Sequence, residues 1–260
     1  MIVPQPPISF YAGLTYCNRE DASLKLDVLA PQRKVGAAPL PVAVYFHGGG
    51  WHEGDRGAGM HPWLNPLLAA RGYVTVSVTY RLSTSAQWPA QFEDAHDALG
   101  WVLDHIAEFG GDPSRVGVWG FSAGAHLAAH LALRAPGTVK AASLAACPTD
   151  LRNSRVDEAN EVTWLLGRSP GAEALAEVSP ICWVDSEAPP VLIVHGSNDQ
   201  IVDFAQGIAL RDALDSAGAP VEFIEIPGGG HEWADKPSAP GSGPDADFGS
   251  VTAQFFDRVL

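Results

Sequence analysis

Gly120-Phe121-Ser122-Ala123-Gly124 fits the pattern Gly-x-Ser-x-Gly, directly after the apolar run VGVW (116–119) and directly before an alanine-rich stretch. A serine at such a strand-to-helix turn sits in a strained conformation with its hydroxyl exposed, and the flanking glycines remove Cβ atoms that would clash there. The helix start behind it favours developing negative charge. A serine hydroxyl is a poor nucleophile until a base takes its proton, and imidazole is the side chain whose pKa lies near working pH. Nine histidines compete for that role. His231 is the best candidate, because it follows the strand-like run VEFIEI (221–226) and the turn Pro227-Gly228-Gly229-Gly230. His126 and His130 lie one and two turns along the helix after Ser122, where side chains project away from the turn, and packing accounts for them. The carboxylate expected to orient the base is Asp199 in VLIVHGSNDQIVD, with Asp203 as the fallback. Asp203 falls in the first turn of the next helix, where a carboxylate complements the helix dipole. For Ser122 taken alone, a plain helix N-cap is the competing reading.

VYFHGGGW (44–51) supplies the second half of the chemistry. Three glycines after His47 let the backbone turn its N–H groups toward a ligand. Donors fixed in advance stabilise the oxyanion of a tetrahedral intermediate by roughly 3–4 kcal/mol each. Gly49 and Gly50, with the N–H of Ala123, are the expected donors, while His47 is expected to fasten the loop. His47, His52, Glu53, Asp55 and His61 crowd one stretch, yet none of their spacings matches a His-x-x-x-His pair on a helix. No metal and no organic cofactor is expected. The chemistry is acyl transfer, with Asp199 holding His231 in its neutral tautomer while His231 deprotonates Ser122 and then protonates the leaving group.

These residues must be positioned by a sheet. SLKLDVL (from Ser23), VAVYF (42–46), VTVSVTY (74–80), VGVW, AASLAA (141–146), VLIVH (191–195) and VEFIEI alternate with helical patterns, which predicts a mostly parallel, doubly wound α/β sheet. SLKLDVL alternates apolar with polar residues and suits an antiparallel N-terminal edge. Phe92, Ala95, Leu99, Val102, Ile106 and Phe109 recur every three or four residues, marking a helix that Gly110-Gly111 stops. Phe204, Ile208 and Leu214 line a second helix, and VTAQFFDRVL a terminal one. Residues 149–189, with one helical piece around Glu161–Leu166, and residues 234–248 break the rhythm, and the first stretch has the makings of a small cap. Trp51, Trp88, Trp183 and Trp233 fall in loops expected to rim the site, where each either touches substrate or serves plain packing.

A length of 260 residues with 46% hydrophobic composition suits one α/β domain over 1–260. Sixteen basic residues against 30 acidic give a net charge of −14, which repels nucleic acid and anionic membrane surfaces. Cys17, Cys147 and Cys182 are odd in number and widely spaced; they read as buried thiols, with one disulfide as the minority alternative. MIVPQPPISF has no basic start and is broken by prolines, so it reads as neither signal peptide nor membrane span, and the expected location is cytoplasmic, with secretion the alternative if a signal peptide has been trimmed. Monomer and homodimer both stay open.

HGGGW (47–51) with Gly54-Asp55, YRLS (80–83), DPSRVGVWGFSAGAHLA (112–128), Ser179-Pro180, HGSND (195–199) and GGGH (228–231) together resemble the hormone-sensitive-lipase-like carboxylesterases. The likeness is closer to their bifunctional feruloyl and acetyl esterase branch, and it runs from about residue 20 to the end. It implies the α/β-hydrolase fold and a serine carboxylesterase acting on short-chain or aromatic acyl esters, small molecules that need no cofactor. It carries Ser122, Asp199 and His231 over as the triad, and Gly49, Gly50 and Ala123 as the oxyanion donors. Arg81 and Asp94 also match family positions and are expected to pair. Two departures stand out. The chain lacks the long N-terminal cap of larger lipases, so long-chain lipid esters are expected to be poor substrates, and the loop at 234–248 is longer than a simple turn. An arylformamidase-type amide hydrolase on the same triad is the main rival. A non-catalytic binding module is the other, and the presence of all three triad residues argues against it.

Overall fold

VAVYF, VLIVH and their kin are apolar at nearly every position because each of these strands feeds two cores. The computed structural model describes residues 7–20, 22–57, 61–135, 137–154, 160–167, 169–231 and 248–260. Its elements are β1 (Ile8–Asn18), β2 (Ser23–Pro31), β3 (Leu40–Phe46), α1 (His61–Ala70), β4 (Val74–Val78), α2 (Ala90–His105), β5 (Gly111–Phe121) and α3 (Ala123–Arg134). They continue with β6 (Ala141–Ala145), α4 (Glu161–Leu166), α5 (Ala172–Glu177), β7 (Val191–Gly196), α6 (Phe204–Ala217), β8 (Val221–Ile226) and α7 (Phe248–Val259). The strands form one sheet in the order β1-β2-β4-β3-β5-β6-β7-β8. β3 to β8 run parallel, and β2 is antiparallel to both β1 and β4.

Side chains alternate across a strand. In β3, Val42, Val44 and Phe46 enter the core under α2, α3 and α6, whereas Ala43 and Tyr45 enter the core under α1 and α7. β7 does the same, with Val191 and Ile193 on one side and Leu192 and Val194 on the other. This is the doubly wound α/β-hydrolase arrangement, and it leaves the C-terminal ends of β3, β5, β7 and β8 pointing to one rim.

Three expectations need correction. SLKLDVL is antiparallel but is not the edge, because β1 covers it. β1 escapes a periodicity reading because two register shifts, between Tyr11 and Leu14 and between Thr15 and Cys17, break its alternation. The α6 face that is buried is Gly207, Leu210 and Leu214, not Phe204 and Ile208. The cysteines are all free thiols, and of the three only Cys147 is buried; Cys17 is half-buried, and Cys182 is exposed on a 3-10 turn whose Pro180 faces inward. Of the predicted stripe, Ala95, Leu99, Val102 and Ile106 are buried and Phe92 and Phe109 are half-buried against the same core; α2 itself ends at His105, and a 3-10 turn over Ile106–Phe109 carries the chain on to Gly110 at φ 83°. Residues 234–247 and Trp233 lie outside the described residues. Among the described residues no helix is long and apolar enough to cross a membrane.

Arg81 and Asp94 pair as expected. The Arg81 backbone N–H and Nε both donate to Asp94 Oδ2 at 2.8 Å, and Nη2 donates to Oδ1 at 2.8 Å. Arg19 at the end of β1, unforeseen in the sequence, adds bonds to Oδ1 at 2.7 and 3.1 Å. One fully buried carboxylate thereby ties β1, the segment after β4 and the first turn of α2 together. Removing one partner of a buried ion pair costs about 3–5 kcal/mol, because charge is left uncompensated. Asp94→Ala is therefore expected to lower stability by roughly 3 kcal/mol, or about 6–12 °C in Tm for a chain this long, read by circular dichroism on heating. A loss under about 1 kcal/mol would mean the cluster is solvated and weak.

Candidate active site

The turn after β5 holds Ser122 at φ 53° and ψ −121°, outside the regions ordinary residues favour. Two glycines make the turn sterically feasible. A Cβ on Gly124 would lie 2.0 Å from the Phe46 carbonyl oxygen, and one on Gly120 would lie 2.5 Å from the Gly124 backbone. The Ser122 N–H donates to the Ala145 carbonyl at 2.9 Å, fixing the elbow against β6.

His231, from the turn after β8, places Nε2 3.1 Å from Ser122 Oγ and Nδ1 2.7 Å from Asp199 Oδ2. The carboxylate fixes the tautomer: Nδ1–H donates to it, so Nε2 presents its lone pair to the hydroxyl. Asp199 Oδ1 accepts the N–H groups of Ile201 and Val202, both at 2.9 Å, and its side chain is fully buried. Asp203, the fallback, instead caps α6 by accepting from Ala205 N–H at 2.9 Å. His195, which the sequence reading left without a role, braces the same loop. Its Nε2–H donates to Val202 O at 2.9 Å and lies 3.5 Å from Asp199 Oδ2, while burial lowers its pKa. The Phe121 ring packs against His231 at 4.9 Å.

The glycine loop that follows β3 lies across from the elbow. Gly49 takes φ 114°, where a Cβ would meet the Glu53 carbonyl oxygen at 2.3 Å. The backbone N–H groups of Gly49, Gly50 and Ala123 have no protein acceptor among the described residues. His47 fastens the loop, as expected. Its Nδ1–H donates to Gly48 O at 2.7 Å, its ring stacks on Tyr80 at 4.2 Å, and the Tyr80 hydroxyl donates to His47 O at 2.8 Å. Burial pushes the His47 pKa down to about 4.

A cavity of about 480 Å³ opens over Ser122 and His231, walled by Phe121, Leu151, Val162, Ile201 and Val202 on its apolar sides. Glu53, Glu161 and Asp203 also line it. Of the four tryptophans expected at the rim, Trp51 lines this cavity. Trp88 and Trp183 do not. Trp88 packs on His126 and His130, at 5.4 and 4.9 Å, and Trp183 donates Nε1–H to Glu177 O at 2.9 Å with Arg134 over its ring. Both are half-buried against the main core instead, and Trp88 donates Nε1–H to the Glu177 carboxylate. Trp233 lies outside the described residues. Among those residues no cluster of three or more His, Cys, Asp and Glu is placed to hold a metal ion.

The family model described as BD-FAE matches residues 26–214, well over half of the chain, including Ser122, Asp199 and the glycine loop. The chain belongs to the BD-FAE family. Esterase LipQ of Mycobacterium tuberculosis is 36% identical over 79% of this chain and 52% of its own length. Esterase LipC of the same organism is 29% identical over 82% of this chain and 57% of its own. The chain thus spans about half the length of the curated relatives it matches. Among solved structures, a propionate-bound esterase of Thermogutta terrifontis superposes with a TM-score of 0.77 at 27% identity, covering 98% of this chain and 93% of that one. A truncated carbohydrate esterase from gut microbiota reaches 0.80 at 24% identity over 96% and 95%, a likeness of fold. His231 lies beyond the stretch that the BD-FAE model matches.

Burial also holds His126 at about 4 and His130 well below the usual histidine range. These two and His47 are neutral in the folded chain, whereas the unfolded chain protonates histidine below about 6.5. The unfolded state then binds more protons, so stability is fully present above pH 6.5 and falls as pH drops from about 6.5 toward about 4. Each group adds a slope approaching about 1.4 kcal/mol per pH unit within that window. The urea midpoint is expected to be clearly lower at pH 5 than at pH 7.5; equal midpoints would show that these rings are not buried neutral.

Proposed function

We propose that this BD-FAE chain is a carboxylic ester hydrolase that works through an acyl-enzyme on Ser122. The observation that carries the reading is the unbroken line Asp199 Oδ2, His231 Nδ1, His231 Nε2, Ser122 Oγ at 2.7 and 3.1 Å, facing unoccupied backbone donors. His231 takes the Ser122 proton as Oγ attacks the ester carbonyl, and Asp199 stabilises the imidazolium that forms. Gly49, Gly50 and Ala123 receive the oxyanion. On collapse the proton passes from His231 to the leaving alcohol, and water repeats the sequence to free the acid. The names of the mycobacterial and Thermogutta relatives support this assignment.

Short-chain or aromatic acyl esters, of the acetyl and feruloyl type, are the substrates we favour. A cavity of about 480 Å³ with apolar walls accommodates such groups, and its three carboxylates disfavour anionic substrates. Propionate bound to the Thermogutta relative agrees with a short acyl group. We further read the 149–189 segment as a small cap, since its Leu151, Leu165 and Val178 pack with Trp51 and Ala123 while Leu151 and Val162 wall the cavity.

The test is hydrolysis of p-nitrophenyl esters from acetate to decanoate, with methyl ferulate and matched anilides, by wild type and Ser122→Ala. Activity should peak at acetate, propionate or ferulate, fall off by decanoate, stay low on anilides, and drop on the order of 10⁴-fold or more in the variant. A wild type that prefers anilides transfers the site to amide chemistry. A variant as active as wild type removes Ser122 from the mechanism.

A further inference from the structure

We propose that His126 is a positioning residue for the oxyanion loop, holding the Trp51 indole so that the N–H groups of Gly49 and Gly50 keep their aim. The inference rests on the esterase reading of the same site.

Trp51 follows Gly50 directly and takes φ 60°, a left-handed conformation that a bulky residue keeps only when its surroundings over-determine it. Two bonds do so. Its carbonyl accepts the Ser83 N–H at 2.8 Å, and its indole Nε1–H donates to His126 Nδ1 at 3.3 Å. The two rings meet edge to face at 5.0 Å, and Trp51 is buried. An indole nitrogen can only donate, so His126 Nδ1 must offer a lone pair and Nε2 must carry the proton. That proton goes to the Val178 carbonyl at 2.7 Å. One neutral tautomer therefore satisfies both ends, and burial keeps the ring neutral.

The placement of His126 gives this bond its use. His126 is one helical turn beyond the nucleophile, and its N–H donates to Ser122 O at 3.0 Å. The turn that carries Oγ thus also carries the anchor of the loop that receives the oxyanion. The ring is fixed in turn by Val178 O, which also accepts from His130 Nε2–H at 3.1 Å, and by Trp88 packed at 5.4 Å. Both His126 nitrogens are matched, whereas the neighbouring His130 leaves Nδ1 without a partner among the described residues.

His126→Phe, Trp51→Phe and the double variant test this, with His126→Asn as rescue, because its Oδ1 can accept the indole proton. Variants shown to be folded by circular dichroism are assayed for kcat and KM on p-nitrophenyl acetate. Each is also titrated with a trifluoromethyl ketone, which forms an oxyanion on the nucleophile. Each single Phe variant is expected to lose about tenfold or more in kcat with KM within about twofold, and to bind the ketone correspondingly more weakly. The double variant should lose no more than either single, since both cut one bond, and His126→Asn should stay within about threefold of wild type. Unchanged kcat in folded Trp51→Phe, or losses that multiply in the double variant, overturn the proposal. Independently of any variant, the wild-type Trp51 indole proton should exchange slowly with D₂O; free exchange overturns it too. If Ser122→Ala keeps full activity, the esterase reading fails first; if Ser122→Ala is inactive and the Phe variants are not impaired, only the positioning role fails.

Discussion

Close approach of bare backbone, at a point where no side chain fits, is the constraint on which this molecule's site depends. Gly124 faces the Phe46 and His47 carbonyls so tightly that a Cβ would lie 2.0 and 2.6 Å from their atoms, and a Cβ on Gly48 would lie 3.1 Å from Phe121 O. The Ser122 turn and the glycine loop are therefore seated on each other without spacers. Peptide geometry, which is stiff, sets how closely the two approach, and the Trp51 indole on His126 then holds the far end of the loop. The cost is the strained φ at Ser122 and Trp51, and the sheet and its two cores supply the stability that offsets it.

Buried polar groups then fasten the pieces. Asp94 joins three elements through two guanidinium groups, and Asp199 is pinned by two backbone N–H groups before it meets His231. His47, His126 and His195 each spend a ring proton on a backbone carbonyl. A neutral imidazole is suited to such joints, since it donates a proton while carrying no charge into a low-dielectric interior, and His126 also accepts at its other nitrogen from the Trp51 indole. The same histidines would be liabilities if protonated, which couples the integrity of the rim to pH.

Much of this was legible in the sequence where chemistry or sterics demand one residue type. Gly120, Gly124 and Gly49 stand where nothing larger fits, and Ser122, Asp199 and His231 each follow an apolar strand, so order along the chain announces their meeting at one rim. The two-faced strands and the α2 stripe are legible because burial imposes a period. What escaped reading lacks a period or depends on contacts distant in sequence. β1 is bulged and half-exposed, so ISFYAGLTYCN alternates poorly. Arg19 reaches Asp94 across 75 residues, and no local signal marks it. Trp88 and Trp183 sit in loops, as expected, but composition says nothing about which way a loop residue turns, and both turn inward. α5 has no buried residue to give it a face.

The most direct measurement of the central claim, that Ser122 is a nucleophile activated by His231, is reaction with a fluorophosphonate followed by peptide mass spectrometry. A single adduct on Ser122 is expected in the wild-type chain, formed at least about a hundredfold more slowly in His231→Ala. An unlabelled Ser122, an adduct on another residue, or labelling that His231→Ala leaves as fast as before would contradict it.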